Sequence, residues 1–166
     1  MQKQSWRWGL LLLSLPAIAQ AECFTRVGYA FGISPVLLEA IAWKESKLTL
    51  SSVNTANSNH TEDVCMMQVN SMHFKRLKQL GVTRENLLHD PCTCIATGAW
   101  VLHGLFRQYG RSWDTVGMYN TGPSEKRHQI RQRYANEVQH IYNVLQKQQP
   151  ARREQDLFAS NEAVKE

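Results

Sequence analysis

The chain lacks a hydrophobic run long enough to cross a membrane. Its longest candidate, Leu10 to Leu15 within MQKQSWRWGLLLLSLPAIAQA, stops at Pro16. A spanning helix needs ~20 apolar residues, which argues against an uncleaved anchor. Acids are absent from residues 1–21, where Lys3 and Arg7 precede the apolar run and Ala19-Gln20-Ala21 forms a small-x-small cleavage site. That arrangement reads as a secretory signal peptide over 1–21, cleaved after Ala21. Glu22 before Cys23 is wrong for lipidation, so a soluble exported protein, periplasmic in location, is expected.

Metal-binding patterns are missing too. The six histidines form no H-x3-H pair, and the four cysteines lack the paired C-x2-C spacing of a zinc site. No metal and no cofactor is expected. Charge of one sign is scarce: Lys and Arg exceed Asp and Glu by 19 to 14, and loss of Lys3 and Arg7 lowers the net charge from +5 to +3. Such an excess suits anionic wall or membrane surfaces without selecting one, and it gives no basis for a nucleic-acid partner.

What remains after processing is residues 22–166, enough chain for one domain with a real core. Cys23, Cys65, Cys92 and Cys94 form an even set in an exported chain, which favours disulfides. Cys92 and Cys94 are too close to pair with each other. Two connectivities survive: Cys23–Cys92 with Cys65–Cys94, which we favour, and Cys23–Cys94 with Cys65–Cys92.

Apolar spacing predicts short helices along most of the chain. The first covers Cys23 to Phe31 and stops at Gly32. Ser34 and Pro35 then supply a cap and a first helical residue for a second helix. TLSSVNTANSNHTED is polar and fits a small strand or hairpin with a long loop. Phe74, Leu77 and Leu80 mark another helix. Asp90-Pro91 opens a longer one with Ile95, Ala99, Leu102, Phe106 and Tyr109 on a single face. SWDTVGMYNTG is a short helix, and the charged segment after Ser124 carries Ile130, Tyr134, Val138, Ile141 and Leu145 on one stripe. The domain is read as 22–148, with 149–166 as a disordered tail.

Within the second helix, LLEAIAWKESKL puts Glu45 on the face of Leu37 and Ile41. Burial there, and the negative end of the helix dipole, both favour the protonated acid near pH 7. A protonated carboxyl in an apolar wall is what a general acid needs. The opposing reading is a solvated Glu45 paired with Lys44 or Lys47. Downstream, Asn54, Asn57 and Asn59, then Gln68 and Asn70 in CMMQVN, and Tyr119 and Asn120 in MYNTG, are polar groups of the kind that hold sugar hydroxyl and acetamido groups.

KESKL, VCMMQVNS and GMYNTG, in that order, resemble the three motifs of the soluble lytic transglycosylase domain: an E-S pair, G-L-M-Q-I/V and A-Y-N-x-G. The resemblance covers nearly all of Cys23 to about Val144. It is similar above all to the small single-domain members that accompany type III and type IV secretion, conjugation and pilus systems, to which DPC (Asp90 to Cys92) after an early Cys also points. The resemblance implies a mainly α, lysozyme-like domain of the goose type with a small polar β-hairpin insertion, acting as a monomer on peptidoglycan. It implies cleavage of the β-1,4 bond between N-acetylmuramic acid and N-acetylglucosamine, with Glu45 as the one catalytic carboxylate. Gln68 and Asn70 would line the sugar groove with Met67 packed beside it. Tyr119 and Asn120 would lie near the acid, and Ser46 and Asn54 are further substrate-side positions. Two departures stand out. Cys65 replaces the usual Gly of the second motif, and Met118 and Thr121 stand where small residues are common in the third.

The one-acid chemistry that the resemblance implies would have Glu45 protonate the leaving oxygen and then take the proton of the muramyl 6-hydroxyl as it attacks, giving a 1,6-anhydro product. Glu62 and Asp63 are the loop acids available for a two-carboxylate alternative, a hydrolytic muramidase. The remaining alternative is a wall-binding assembly adaptor without turnover.

Overall fold

The computed structural model describes the backbone of residues 15–162 and side chains from residue 20 to residue 149. Residues 1–14 of the predicted signal peptide lie outside the described residues. Those described form seven α-helices and one small sheet: α1 Leu15–Phe31, α2 Pro35–Ser46, α3 Phe74–Gln79, α4 Arg84–His89, α5 Pro91–Tyr109, α6 Trp113–Thr121 and α7 His128–Glu162. The fold is mainly α and lysozyme-like, as its motifs implied. No described helix is long and apolar enough to cross a membrane.

α5 forms the axis of the core. Its Ile95, Ala99 and Leu102 are fully buried, packed with Leu38 and Ile41 of α2 and Val138 of α7. Local chemistry explains where the helices begin. Asp90 accepts from the backbone N–H of Cys92 and Thr93, and Pro91 follows at the first helical position. Thr83 and Asn86 close a reciprocal capping box on α4. Ser34 differs from its expected role: its side chain makes no capping bond, and its backbone carbonyl accepts from Leu37 and Leu38 instead.

The polar insertion folds as three antiparallel two-residue strands, β1 Val53–Asn54, β2 Asp63–Val64 and β3 Val69–Asn70, in the order β1-β2-β3. The register sets Asn54 and Asn70 on either side of Asp63, and Val53 and Val69 on either side of Val64. Val64 and Val69 face the core while the polar row faces outward.

Two disulfides tie this frame together, Cys23–Cys92 between α1 and α5 and Cys65–Cys94 between the insertion and α5. This is the favoured pairing. Cys65 has φ 63°, the left-handed conformation usually given to glycine, so the backbone shape of the missing Gly is retained. The insertion also approaches α5 closely at Gly98, where a Cβ would lie 2.5 Å from Met67 Cε and 2.9 Å from its Cβ.

α6 and α7 cross closely at Gly117, whose added Cβ would meet Arg131 at 2.6 Å. Arg131 is 1% exposed and pairs with Asp114 of α6 and Glu125 before α7. Past Gln149, the segment read as a tail is drawn as a continuation of α7 through Pro150 to Glu162.

Candidate active site

Glu45 sits in the last turn of α2. The backbone reverses directly after Ser46, through Lys47 at φ 55° and Leu48 at φ 64°. The Leu37/Ile41 face carries Glu45 inward, and its pKa is raised from 4.5 to about 7. Burial is the main cause. The hydrogen bond from Tyr134 pulls the other way, the charge of Asp63 adds to the rise, and Lys44 opposes it. Tyr134 Oη donates to Glu45 Oε1 at 2.6 Å. Because Oε1 accepts this bond, the carboxyl proton belongs on Oε2. Burial and the neighbouring carboxylate hold the Tyr134 phenol far above its usual pKa, so it remains a donor at neutral pH.

A cavity of about 290 Å³ opens over this carboxyl, lined by Lys44, Asn120, Ile130, Arg133 and Tyr134 beside Glu45. Ile130 is 41% exposed. It belongs to this cavity rather than to the core stripe that the sequence pattern assigned it.

The predicted site residues divide sharply by what they touch. Asn120 shares the cavity with Glu45. Tyr119 is partly buried against the core, and its hydroxyl donates to the backbone carbonyl of Met67 at 2.9 Å, joining α6 to the insertion. Ser46 Oγ donates to the carbonyl of Met66 at 2.9 Å and accepts from the N–H of Thr49. It is a strut between α2 and the insertion. Met67 is fully buried against Gly98. Gln68, at φ 49°, donates to the carbonyl of Cys65 at 2.8 Å and so closes its own turn. Met118 and Thr121 are 9% and 6% exposed. They are packed into the domain, and neither lines the Glu45 cavity.

Asn54 and Asn70 converge on Asp63. Asn70 Nδ2 donates to Oδ1 at 2.7 Å, while Asn57 and Asn54 donate to Oδ2 at 2.8 and 3.2 Å. Thr61 accepts from both Asn57 and Asn70 and completes the ring. The strand register produces this arrangement, since Asp63 lies between the two asparagines. Donors aimed at both oxygens match an anionic carboxylate, and its charge reaches Glu45 and Tyr119. Glu62, the adjacent acid, is held elsewhere by a bidentate pair with Arg84 at 2.8 Å.

Sequence reasoning missed Tyr134, which looked like one more core residue on the α7 stripe. It offered Asp63 beside Glu62 as a possible second carboxylate, without the ring of donors that distinguishes the two. The asparagines around it were the available signal, but only strand register joins them to it.

The model of the family described as "Transglycosylase SLT domain" matches residues 4–142. The chain belongs to this family. It is 40% identical over 127 residues to invasion protein IagB of Salmonella typhimurium strain LT2, covering 76% of this chain and 79% of that one. It is 38% identical over 133 residues to protein IpgF of Shigella flexneri, covering 80% and 87%. It is 37% identical over 145 residues to the X polypeptide of Escherichia coli K12, covering 86% and 85%. The matched range includes Glu45 and the insertion, where Cys65 is a side chain carried on a glycine-like backbone.

Proposed function

We propose that this protein is an exported peptidoglycan lytic transglycosylase with Glu45 as its general acid and base. The observation that carries this reading is the Glu45 carboxyl, poised to hold a proton at about pH 7 in an open cavity, with its proton directed to Oε2 by Tyr134. The pKa of an efficient acid-base group lies near the working pH. Glu45 donates its proton to the glycosidic oxygen as the C1–O bond of N-acetylmuramic acid breaks. The substrate's 2-acetamido group stabilises the developing cation. The Glu45 carboxylate then removes the proton of the 6-hydroxyl as O6 bonds to C1, which leaves a 1,6-anhydro end and restores the acid.

Asp63 favours a second reading. Two carboxylates in contrasting surroundings, one buried beside apolar groups and one ringed by hydrogen-bond donors, are the arrangement of hydrolytic glycosidases such as lysozyme. In that reading Asp63 steadies the oxocarbenium charge or directs a water to C1. Mass spectrometry of digested peptidoglycan separates the two: anhydro ends support the transglycosylase, and reducing ends support the muramidase. Glu45→Gln should abolish lysis while leaving wall sedimentation intact. Full lysis by this variant would remove Glu45 from the chemistry.

The two disulfides suit an oxidising compartment, in keeping with export to the periplasm. The motif resemblance, and similarity to a protein named for invasion, support local wall opening for a secretion, conjugation or pilus apparatus. Deleting residues after Pro150 should spare lysis in solution if that segment only docks to such machinery.

A further inference from the structure

A second, larger groove of about 860 Å³ lies next to the Glu45 cavity, between the end of α2 and an exposed face of α7. Lys44, Arg133 and Glu137 line both spaces, so the two adjoin. Its charged walls carry three cations, Lys44, Lys47 and Arg133, against the single acid Glu137, a net of 3 − 1 = +2 before counting its histidines. Glu137 is already paired with Lys44, so Arg133 and Lys47, whose Nζ lies 5.8 Å from the centre of the Trp43 ring, supply the groove's remaining positive charge. Gln129 and Asn136 add amide donors and acceptors, and Ile141 adds an apolar patch.

Lys47 holds φ 55° at the α2 terminus, a position where glycine is the low-cost residue. A lysine there places a charge at the mouth of the groove, in spite of a backbone conformation that disfavours any side chain.

We propose that this groove binds the acidic stem peptide of the glycan strand. The inference rests on the reading that Glu45 acts on muramyl bonds. The peptide hangs from the 3-O-lactyl group of the very sugar whose C1 is attacked, so it must leave the site close to Glu45. The adjoining groove receives it. Free carboxylates of the stem meet Lys47 and Arg133, and its peptide groups meet Gln129 and Asn136. The volume falls within the ~300–1,000 Å³ typical of small-ligand and peptide sites. Charge complementarity selects this occupant over a neutral one, and the groove adjoins the cavity that holds the sugar.

The test uses the full chain and two exposed groove positions, Lys47→Glu and Gln129→Glu. The kcat/KM on peptide-bearing strands is divided by that on strands stripped of peptide with an amidase. Each variant should lower this ratio roughly three- to tenfold relative to wild type, the effect of reversing a solvent-facing attraction. Calorimetric titration with the free acidic stem tripeptide should show weakened binding in the same variants, and amidation of its carboxylates should weaken binding to wild type. An unchanged ratio together with unchanged tripeptide affinity would overturn the proposal. So would loss of binding to anionic phospholipid vesicles in Lys47→Glu with peptide affinity intact, since the groove would then serve a membrane surface. If wild type cleaves neither substrate, the catalytic reading fails. The tripeptide titration needs no turnover and still decides the groove.

Discussion

Replacing Tyr134 with Phe removes one hydroxyl and tests how the acid is tuned. The bond from Tyr134 to Glu45 is 2.6 Å long, in the range of charge-assisted O–H···O⁻ contacts. It favours the ionised carboxylate and so restrains the rise caused by burial. A hydrogen bond to a charged group contributes about 1.5–3 kcal/mol, equivalent to roughly one to two pKa units. Without it, the Glu45 pKa should climb from about 7 to about 8–9.

The sign of the outcome follows from which form is active. General-acid catalysis needs the protonated carboxyl, so the rate falls as pH rises through its pKa. Tyr134→Phe should therefore move the alkaline limb of kcat/KM upward by about one to two units. At pH 5 the acid is fully protonated in both proteins, so the remaining loss, no more than about tenfold, measures the orientation of the proton on Oε2. The assay is turbidity loss of purified peptidoglycan across pH 4.5–10, at constant ionic strength. An alkaline limb that stays in place, or moves down, refutes the assignment of Glu45 as the titrating acid or of Tyr134 as its restraint.

Other substitutions probe the same construction from different sides. Glu45→Gln should stabilise the fold. A carboxyl with a raised native pKa binds its proton more tightly when folded, so stability is greatest below pH 4.5 and declines until about pH 7. The cost at pH 8 is about 3 kcal/mol, so the melting temperature of the variant should exceed wild type there by on the order of 5–10 °C, and the gap should close by pH 4. Asp63→Asn removes a negative charge that raises the Glu45 pKa, so its alkaline limb should move down, opposite to Tyr134→Phe. A rate loss of about 10² or more would assign Asp63 a direct electrostatic role, whereas an unmoved limb would separate it from Glu45. Removing the Cys65–Cys94 disulfide should cost roughly 3–4 kcal/mol on the chain-entropy argument. Because Cys65 has φ 63°, Cys65→Gly/Cys94→Ala should retain about 1 kcal/mol more stability in urea than Cys65→Ala/Cys94→Ala. Equal midpoints would contradict that conformation. Gly98→Ala should cost about 1–3 kcal/mol, because the new methyl meets Met67, and urea unfolding measures it.

Periodicity made the helical frame legible. Ile95, Ala99 and Leu102 mark α5, and Leu37 and Ile41 point Glu45 inward, because helical spacing converts directly into a shared face. The stripe was less reliable at its ends. Tyr109 and Leu80 are 39% and 53% exposed, where α5 and the turn after α3 run out of neighbours. Ile130 keeps the spacing of the α7 stripe but faces the Glu45 cavity, since periodicity reports a face without saying whether a partner covers it.

The polar half of the site was hidden for a different reason. Asn54, Asn57, Asp63 and Asn70 span two turns and three strands, and no repeat in the sequence links them. Their association depends on strand register, and a shift of one residue would turn Asp63 away from both flanking asparagines. What fixes that register is apolar: Val64 and Val69 buried beneath the sheet, Met67 wedged against Gly98, and Cys65 bonded to Cys94. The motif residues Ser46, Gln68 and Tyr119 direct their hydrogen bonds to the backbone of this same insertion, and Met67 packs it against α5. Their shared physical effect is to hold Asp63 and its ring at a set position relative to Glu45. A motif read as a row of sugar contacts is, in the folded chain, largely the scaffold that sets two carboxylates against each other. Only Asn120 among those downstream motif residues opens onto the cavity of the acid.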